Sequence, residues 1–197
     1  MKKNNLIREA ILNSAIEFVR KNGASKLNAR SLATFMECST QPIYSNFENM
    51  QALKLEIIKK AEQIQKQKVS EYFNHQDITK YKAYGMGFVK FAKEEKELFK
   101  LLYMPASDKA ISPTKDVNYE DIIKEISKSY SLTKEQAENF HKDMGIFSFG
   151  LAVMQALGAN LTDEQIGERL TSEFNALSSL LPKKNIIRKI YEKYTRN

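Results

Sequence analysis

The chain has 197 residues, with 42% hydrophobic and 28% charged residues and a formal net charge of +7. This composition is typical of a foldable globular protein and excludes a fully disordered chain. Most of the net positive charge lies in the first 70 residues, which permits a polyanionic partner. The single cysteine, Cys38, excludes an intramolecular disulfide, and the two histidines are too far apart in sequence to indicate a zinc site.

Neither an export signal nor a membrane span is indicated. After Met1-Lys2-Lys3, the charges of Arg8 and Glu9 interrupt the apolar run that a signal peptide needs, so we expect the N-terminus to fold in a reducing cytoplasm. Residues 144–162 are uncharged and long enough to cross a bilayer. They also contain Ser148, Gln155 and three glycines, so we predict a helix buried on two sides and no membrane partner.

Apolar residues spaced three and four apart, with few prolines and glycines, predict an all-α fold. The first helix is predicted over Asn5–Lys21. A second short helix should begin after Asn28, a favourable N-cap, and a turn at Glu37-Cys38 should precede a third short helix that ends at Asn46. Ser39 or Thr40 is the expected cap of this third helix, and Pro42 is tolerated in its first turn.

Further helices are predicted in the rest of the chain. Thr133 to Gln136 and Thr162 to Gln165 each have a capping-box pattern, in which the first and last residues of the four satisfy each other's backbone.

The predicted helices divide the chain into two parts. The first 48 residues, with three helices, are interpreted as a helix-turn-helix domain, and residues 49–197 as a second helical domain. The expected helices cover residues 49–73, 79–94, 98–104, 118–130, a stretch after 133 and another after 162, with a loop at 106–117 and a last short helix within 183–197.

The first three helices suggest DNA binding. A short helix after a tight turn can lie in the major groove, whose base edges differ for each base pair. Gln41 can pair with adenine through both amide atoms, whereas Tyr44, Arg30 and Lys54 suit phosphates. A small helical hairpin with solvated polar residues explains the same spacing. The candidate DNA contacts are Asn28, Arg30, Ser39, Thr40, Gln41, Tyr44, Ser45, Asn46 and Lys54.

The region from Ala10 to Leu53 resembles the TetR (TetR/AcrR) family of repressors. The shared features are the Ile11-Leu12-Asn13-Ser14-Ala15 segment with Phe18 and Gly23, Leu32-Ala33, and the run Ser39-Thr40-Gln41-Pro42-Ile43-Tyr44-Ser45-Asn46-Phe47-Glu48-Asn49. The resemblance implies a three-helix DNA-binding domain, a long fourth helix, and a C-terminal domain that binds a ligand and dimerises. It implies that Tyr44 and Lys54 contact phosphates and that Ser39 to Gln41 read bases. Glu37 stands where glycine is usual, Asn46 where histidine is frequent, and Met50 where lysine is usual.

The C-terminal two-thirds is rich in aromatic residues and methionine. Such residues can line a pocket for an apolar or aromatic effector, and ordinary core packing explains them equally well. The candidate ligand contacts are Tyr84, Phe88, Phe91, Leu102, Tyr103, Phe147 and Met154.

Two stripes of apolar and small residues predict a homodimer, since small residues let helices approach closely. A bundle within one chain is the alternative. The candidate dimer contacts are Gly145, Phe149, Ala152 and Ala156 on one helix and Leu170, Phe174 and Leu177 on the next.

Together these features favour a ligand-responsive repressor that binds a palindromic operator as a homodimer. The alternative is a helical binding or adaptor protein whose helix-turn-helix is only structural. An enzyme is the weakest hypothesis, because no nucleophile–base pair, phosphate loop or metal cluster is evident in the sequence, and we predict neither a cofactor nor a metal.

Overall fold

The computed structural model describes residues 2–73, 79–104 and 119–181, and over these ranges the protein is all-helical, as predicted. These residues form no β-strand. The helices are α1 (Lys2–Asn22), α2 (Ala29–Phe35), α3 (Gln41–Asn46), α4 (Met50–Phe73), α5 (Lys80–Glu94), α6 (Lys96–Tyr103), α7 (Tyr119–Tyr130), α8 (Lys134–Ala156) and α9 (Asp163–Ser179), with a 3₁₀ turn at Ala24–Lys26.

The first three helices begin and end close to where the sequence predicts. Asn28 caps α2 through a reciprocal capping box with Ser31, which confirms it as the N-cap. Thr40 occupies the N-cap position of α3, but its side chain makes no capping hydrogen bond. Glu37, in the turn between α2 and α3, has a φ of 54°, a left-handed conformation that glycine adopts without strain.

The long helix α4 connects the first three helices to the rest of the chain. Its start is fixed by Asn49, whose side-chain oxygen accepts a hydrogen bond from the backbone N–H of Ala52 at 2.9 Å. Further along, α4 lies so close to α5 that a Cβ added to Gly87 would stand 2.7 Å from the Cα of Val69. This glycine permits the close approach of the two helices.

α5 is the central helix, packed against α4, α6, α8 and α9, while α1 packs against α4 and α6. One hydrophobic cluster runs from Ile11 and Val19 of α1 through Leu53 of α4 to Ile166 and Leu170 of α9. Because the core is continuous, the division into domains at residues 48 and 49 stays a prediction.

The two capping boxes predicted near the C-terminus are confirmed. The Thr133 hydroxyl accepts from the backbone N–H of Gln136, and the Thr162 hydroxyl accepts from that of Gln165, each with the reciprocal bond. The predicted loop at 106–117 and the last helix predicted within 183–197 lie outside the described residues. Within the described ranges, no helix has the length and hydrophobicity that a bilayer crossing requires.

Candidate DNA-binding surface and ligand cavity

α3 has one buried side and one exposed polar side. Ile43 is fully buried, and Phe47, just after the helix, is packed beneath the guanidinium of Arg8, which lies 4.5 Å from the ring centroid. The opposite side exposes Gln41, Tyr44 and Ser45, with Tyr44 54% exposed. The apolar residues thus hold α3 against α1, and the three predicted DNA contacts face solvent.

Two of the predicted DNA contacts have structural roles instead. The Asn28 amide accepts from the backbone N–H of Ser31 at 3.0 Å and donates to the carbonyl of Lys26 at 3.3 Å. The Asn46 amide donates to the carbonyl of Pro42 at 2.8 Å. These bonds stabilise helix ends, and the assignment of Asn28 and Asn46 as DNA contacts stays a prediction.

The remaining candidates include two unpaired cations. Arg30 on α2 and Lys54 on α4 are both exposed, and neither forms an ion pair within the described ranges. Arg8, by contrast, is bound to Glu56 through both carboxylate oxygens, and this hydrogen bonding holds the pKa of Glu56 below its usual range. Of the other two candidates, Ser39 is exposed and Thr40 is half-buried. Arg8 therefore stabilises the fold, whereas Arg30 and Lys54 are available to bind a polyanion.

A cavity of about 400 Å³ lies between α5, α8 and α9. This volume is within the range of small-molecule sites. Tyr84 and Phe88, both predicted as ligand contacts, line it. Other apolar and aromatic side chains complete the wall, among them Tyr81, Met144, Phe149 and Phe174.

The other five predicted ligand contacts do not line this cavity. Phe91 and Leu102 are buried in the core, where Phe91 packs against Phe99 one helical turn beyond the cavity. The Tyr103 hydroxyl donates to the side-chain carbonyl of Gln65 at 2.9 Å. Phe147 is half-buried elsewhere on α8, and Met154 is 52% exposed. Helical periodicity alone did not distinguish residues that line a cavity from residues packed in the core, and the five residues stay predictions as ligand contacts.

Polar groups that the sequence reasoning did not single out also line the cavity. Lys82, Ser148 and His141 all contribute to the wall, and the Nδ1 atom of His141 lies 3.2 Å from the Tyr81 hydroxyl. His141 and Ser148 share a face of α8 with Met144, at spacings of three and four residues. The sequence signal for these polar cavity residues was the three-and-four spacing, which places His141 and Ser148 on an otherwise apolar face of α8.

Three of the residues predicted to form the dimer stripe are buried within their own chain, and the others are at least partly exposed. Ala152, Ala156 and Leu170 are at most 3% exposed and pack inside their own chain, so their assignment to an interface is corrected. Phe174 and Leu177 are half-buried, whereas Gly145 and Phe149 are exposed and also line the cavity. The large exposed apolar residues of this region are Ile146 (65%), Phe149 (38%), Met154 (52%) and Leu157 (66%).

A continuous series of contacts joins the cavity to the first helix. Phe88 packs edge-on against Phe99 and Tyr103 of α6, with ring centroids 5.9 and 5.5 Å away. Glu95, where α5 ends and α6 begins, accepts two hydrogen bonds from the guanidinium of Arg20 on α1, at 2.8 and 2.6 Å. Helix α6 therefore contacts both the cavity wall, through Phe88, and α1, the helix against which α3 packs.

No group of three histidine, cysteine or acidic side chains that could hold a metal ion occurs in the ranges that the structure describes. Neither a scan against protein-family models nor a search of curated proteins found a match to this chain.

Proposed function

We propose that the protein is a ligand-responsive transcriptional repressor that binds a palindromic operator as a homodimer. The observation that carries this proposal is the exposed polar side of α3, with Gln41, Tyr44 and Ser45 facing solvent, together with the exposed and unpaired cations Arg30 on α2 and Lys54 on α4. The resemblance of residues 10–53 to TetR repressors supports the same function.

In this proposal α3 lies in the major groove, and its side chains have different tasks. A bidentate amide contact from Gln41 discriminates one base pair, worth about 1–3 kcal/mol. Lys54 neutralises a phosphate and so releases a condensed counterion, which gives affinity without sequence preference.

The test is duplex binding by Gln41→Ala and Lys54→Ala over a range of salt concentrations. Gln41→Ala should lose preference at one position of each half-site. Lys54→Ala should weaken binding to all sequences and reduce the slope of log affinity against log salt by about 1 per contact. Lys124→Ala, at an exposed position of α7, is the matched control and should leave the slope unchanged. Wild-type protein that binds no duplex selected from a random pool would contradict the proposal and favour the adaptor hypothesis.

The proposed dimer interface is the exposed apolar stripe of α8, formed by Ile146, Phe149, Met154 and Leu157. An exposed apolar patch on a helix is typical of an interaction site, and a twofold dimer presents two copies of α3 to half-sites about 34 Å apart. Ile146→Glu should give a monomer in sedimentation velocity at micromolar concentration. Leu55→Glu, which introduces the same charge at a 50%-exposed position of α4, should remain dimeric.

The proposed effector site is the cavity between α5, α8 and α9. A ligand that prefers the arrangement of α3 unable to bind operator will release DNA, whereas equal affinity for both arrangements shifts nothing. The contacts from Phe88 through α6 to Arg20 provide a physical connection between the two sites. Phe88→Ala should weaken the response to an effector while leaving ligand-free operator binding intact.

A further inference from the structure

We propose that the cavity binds an organic carboxylate with an apolar, aromatic body, and that its carboxylate is held by Lys82 and Ser148. This inference deepens the proposed function, because it names the chemical class of the effector. It rests on that function only in taking the cavity as the effector site.

Lys82 supplies an uncompensated positive charge. Its side chain crosses α9 at Gly167, where an added Cβ would lie 3.6 Å from Cε and 3.7 Å from Nζ. The ammonium forms no ion pair with any described residue. Asp163, which also lies near this end of α9, is already bound by Lys90 and by the Tyr72 hydroxyl. Lys82 lines both this cavity and a neighbouring pocket that Asp163, Glu164 and Glu168 also line, but no described carboxylate lies within ion-pair distance of its ammonium.

Ser148 supplies a hydrogen-bond donor on the opposite helix. The residue is only 9% exposed, lines the cavity, and its hydroxyl makes no hydrogen bond within the described ranges. A Cβ at Gly85 would lie 3.8 Å from the Ser148 Oγ and 3.4 Å from Leu170, so the glycine leaves the hydroxyl accessible from the cavity. Gly85 is three residues after Lys82 on the same side of α5, and Lys82 and Ser148 both line the cavity.

Because the Ser148 hydroxyl is not bonded to a described residue, a ligand in the cavity can accept a hydrogen bond from it without displacing a protein acceptor. An anion in the cavity would accept from both Lys82 and Ser148, and charge-assisted bonds of this kind are shorter and stronger than neutral ones. The described lining contains no aspartate or glutamate. A cationic ligand would thus meet the Lys82 charge with no carboxylate to offset it.

The rest of the wall suits the body of such a ligand. Tyr81, Tyr84, Phe88 and Phe174 surround the space with ring faces and edges, and Met144 adds a flexible apolar side chain. Aromatic side chains favour stacked or edge-on contacts with another ring. The combination of the Lys82 ammonium, the Ser148 hydroxyl and several aromatic rings is complementary to an aromatic acid.

The test uses two probes of nearly equal shape, 1-naphthylacetate and its neutral amide 1-naphthylacetamide, measured by isothermal titration calorimetry at pH 7.5. The wild-type protein should prefer the acid by at least about tenfold. Lys82→Met should remove this preference while leaving affinity for the amide within about twofold, and Lys82→Arg should retain the preference. Ser148→Ala should reduce the preference part of the way. The matched control, Lys124→Met on α7, should behave as the wild type.

Circular dichroism melts establish that each variant is folded. Equal wild-type affinity for acid and amide, or equal loss of both in Lys82→Met, would overturn the inference. A parallel operator-binding assay separates the two proposals. Lys82-dependent binding of the acid with no change in operator affinity would support the inference and contradict ligand-responsive repression. Release of operator by a neutral or cationic molecule, with the acid not bound, would support repression and overturn the inference.

Discussion

The ion pair between Arg20 and Glu95 is expected to couple α1 to the start of α6. Its two hydrogen bonds, at 2.8 and 2.6 Å, form the side-by-side arrangement in which Arg and a carboxylate interact most strongly. The Glu95 side chain is 13% exposed and that of Arg20 33%, and hydrogen bonding to Glu95 holds the pKa of Arg20 above its ordinary value. Because both side chains are partly buried, the pair is intermediate between exposed ion pairs and fully buried ion pairs.

The expected coupling free energy of the pair follows from this intermediate burial. Exposed pairs contribute about 0.2–1 kcal/mol, and hydrogen bonds to charged groups about 1.5–3 kcal/mol. With Arg20 a third exposed, we expect a coupling free energy of about 1–2 kcal/mol. A double-mutant cycle of Arg20→Met, Glu95→Ala and the double variant isolates this value, because the methionine retains most of the apolar stem of arginine.

Urea denaturation followed by circular dichroism provides the free energies of unfolding. A matched cycle on Lys134 and Glu138, which are 66% and 36% exposed and lie one turn apart on α8, should give at most about 0.5 kcal/mol. If the coupling between Arg20 and Glu95 does not exceed that of the control pair, the reasoning that α1 is anchored to α6 by charge is wrong.

Three further perturbations test other features of the fold. Gly87→Ala should destabilise the protein by about 1–2 kcal/mol although alanine has the higher helix propensity, because the alanine Cβ would meet the Val69 backbone at 2.7 Å. Gly150→Ala, where a Cβ would have no atom within 4 Å, should be neutral or stabilising in the same denaturation assay. Glu37→Gly should raise the free energy of unfolding by about 0.5–1 kcal/mol, since φ is 54° there, and an unchanged or lower value would contradict the assigned strain. Burial disfavours the ionised form of Asp163, but hydrogen bonding and charge from Lys90 outweigh burial and lower its pKa. The contribution of Asp163 to the free energy of unfolding is therefore present above its unfolded pKa of about 3.8 and is lost as the pH falls through the lower folded pKa. Stability measured from pH 7 to 3 should therefore fall more for the wild type than for Asp163→Asn, and parallel curves would refute the assignment.

Helix positions could be predicted from the sequence because their determinants are local. The capping boxes at Thr133 and Thr162, and the cap at Asn28, each depend on residues within three positions of one another. The exposed side of α3 was predictable for the same reason, since burying Ile43 necessarily turns Gln41 and Tyr44 outward. Local chemistry thus determined the helices and the side of α3 that faces solvent.

Contacts between distant residues were decided only by the tertiary structure. An apolar stripe shows which face of a helix is covered but not by what, so Ala152 and Ala156 were predicted in a dimer interface and lie in the chain's own core. Periodicity likewise gave no sign that Gly145 would line a cavity with Lys82 and Ser148, because that arrangement depends on how α8 and α5 cross. The pairing of Arg20 with Glu95 is equally nonlocal, and charge alone did not distinguish Arg20 from the unpaired Arg30. Sequence determined which residues form each helix, and the packing of helices distant in the chain decided which side chains meet.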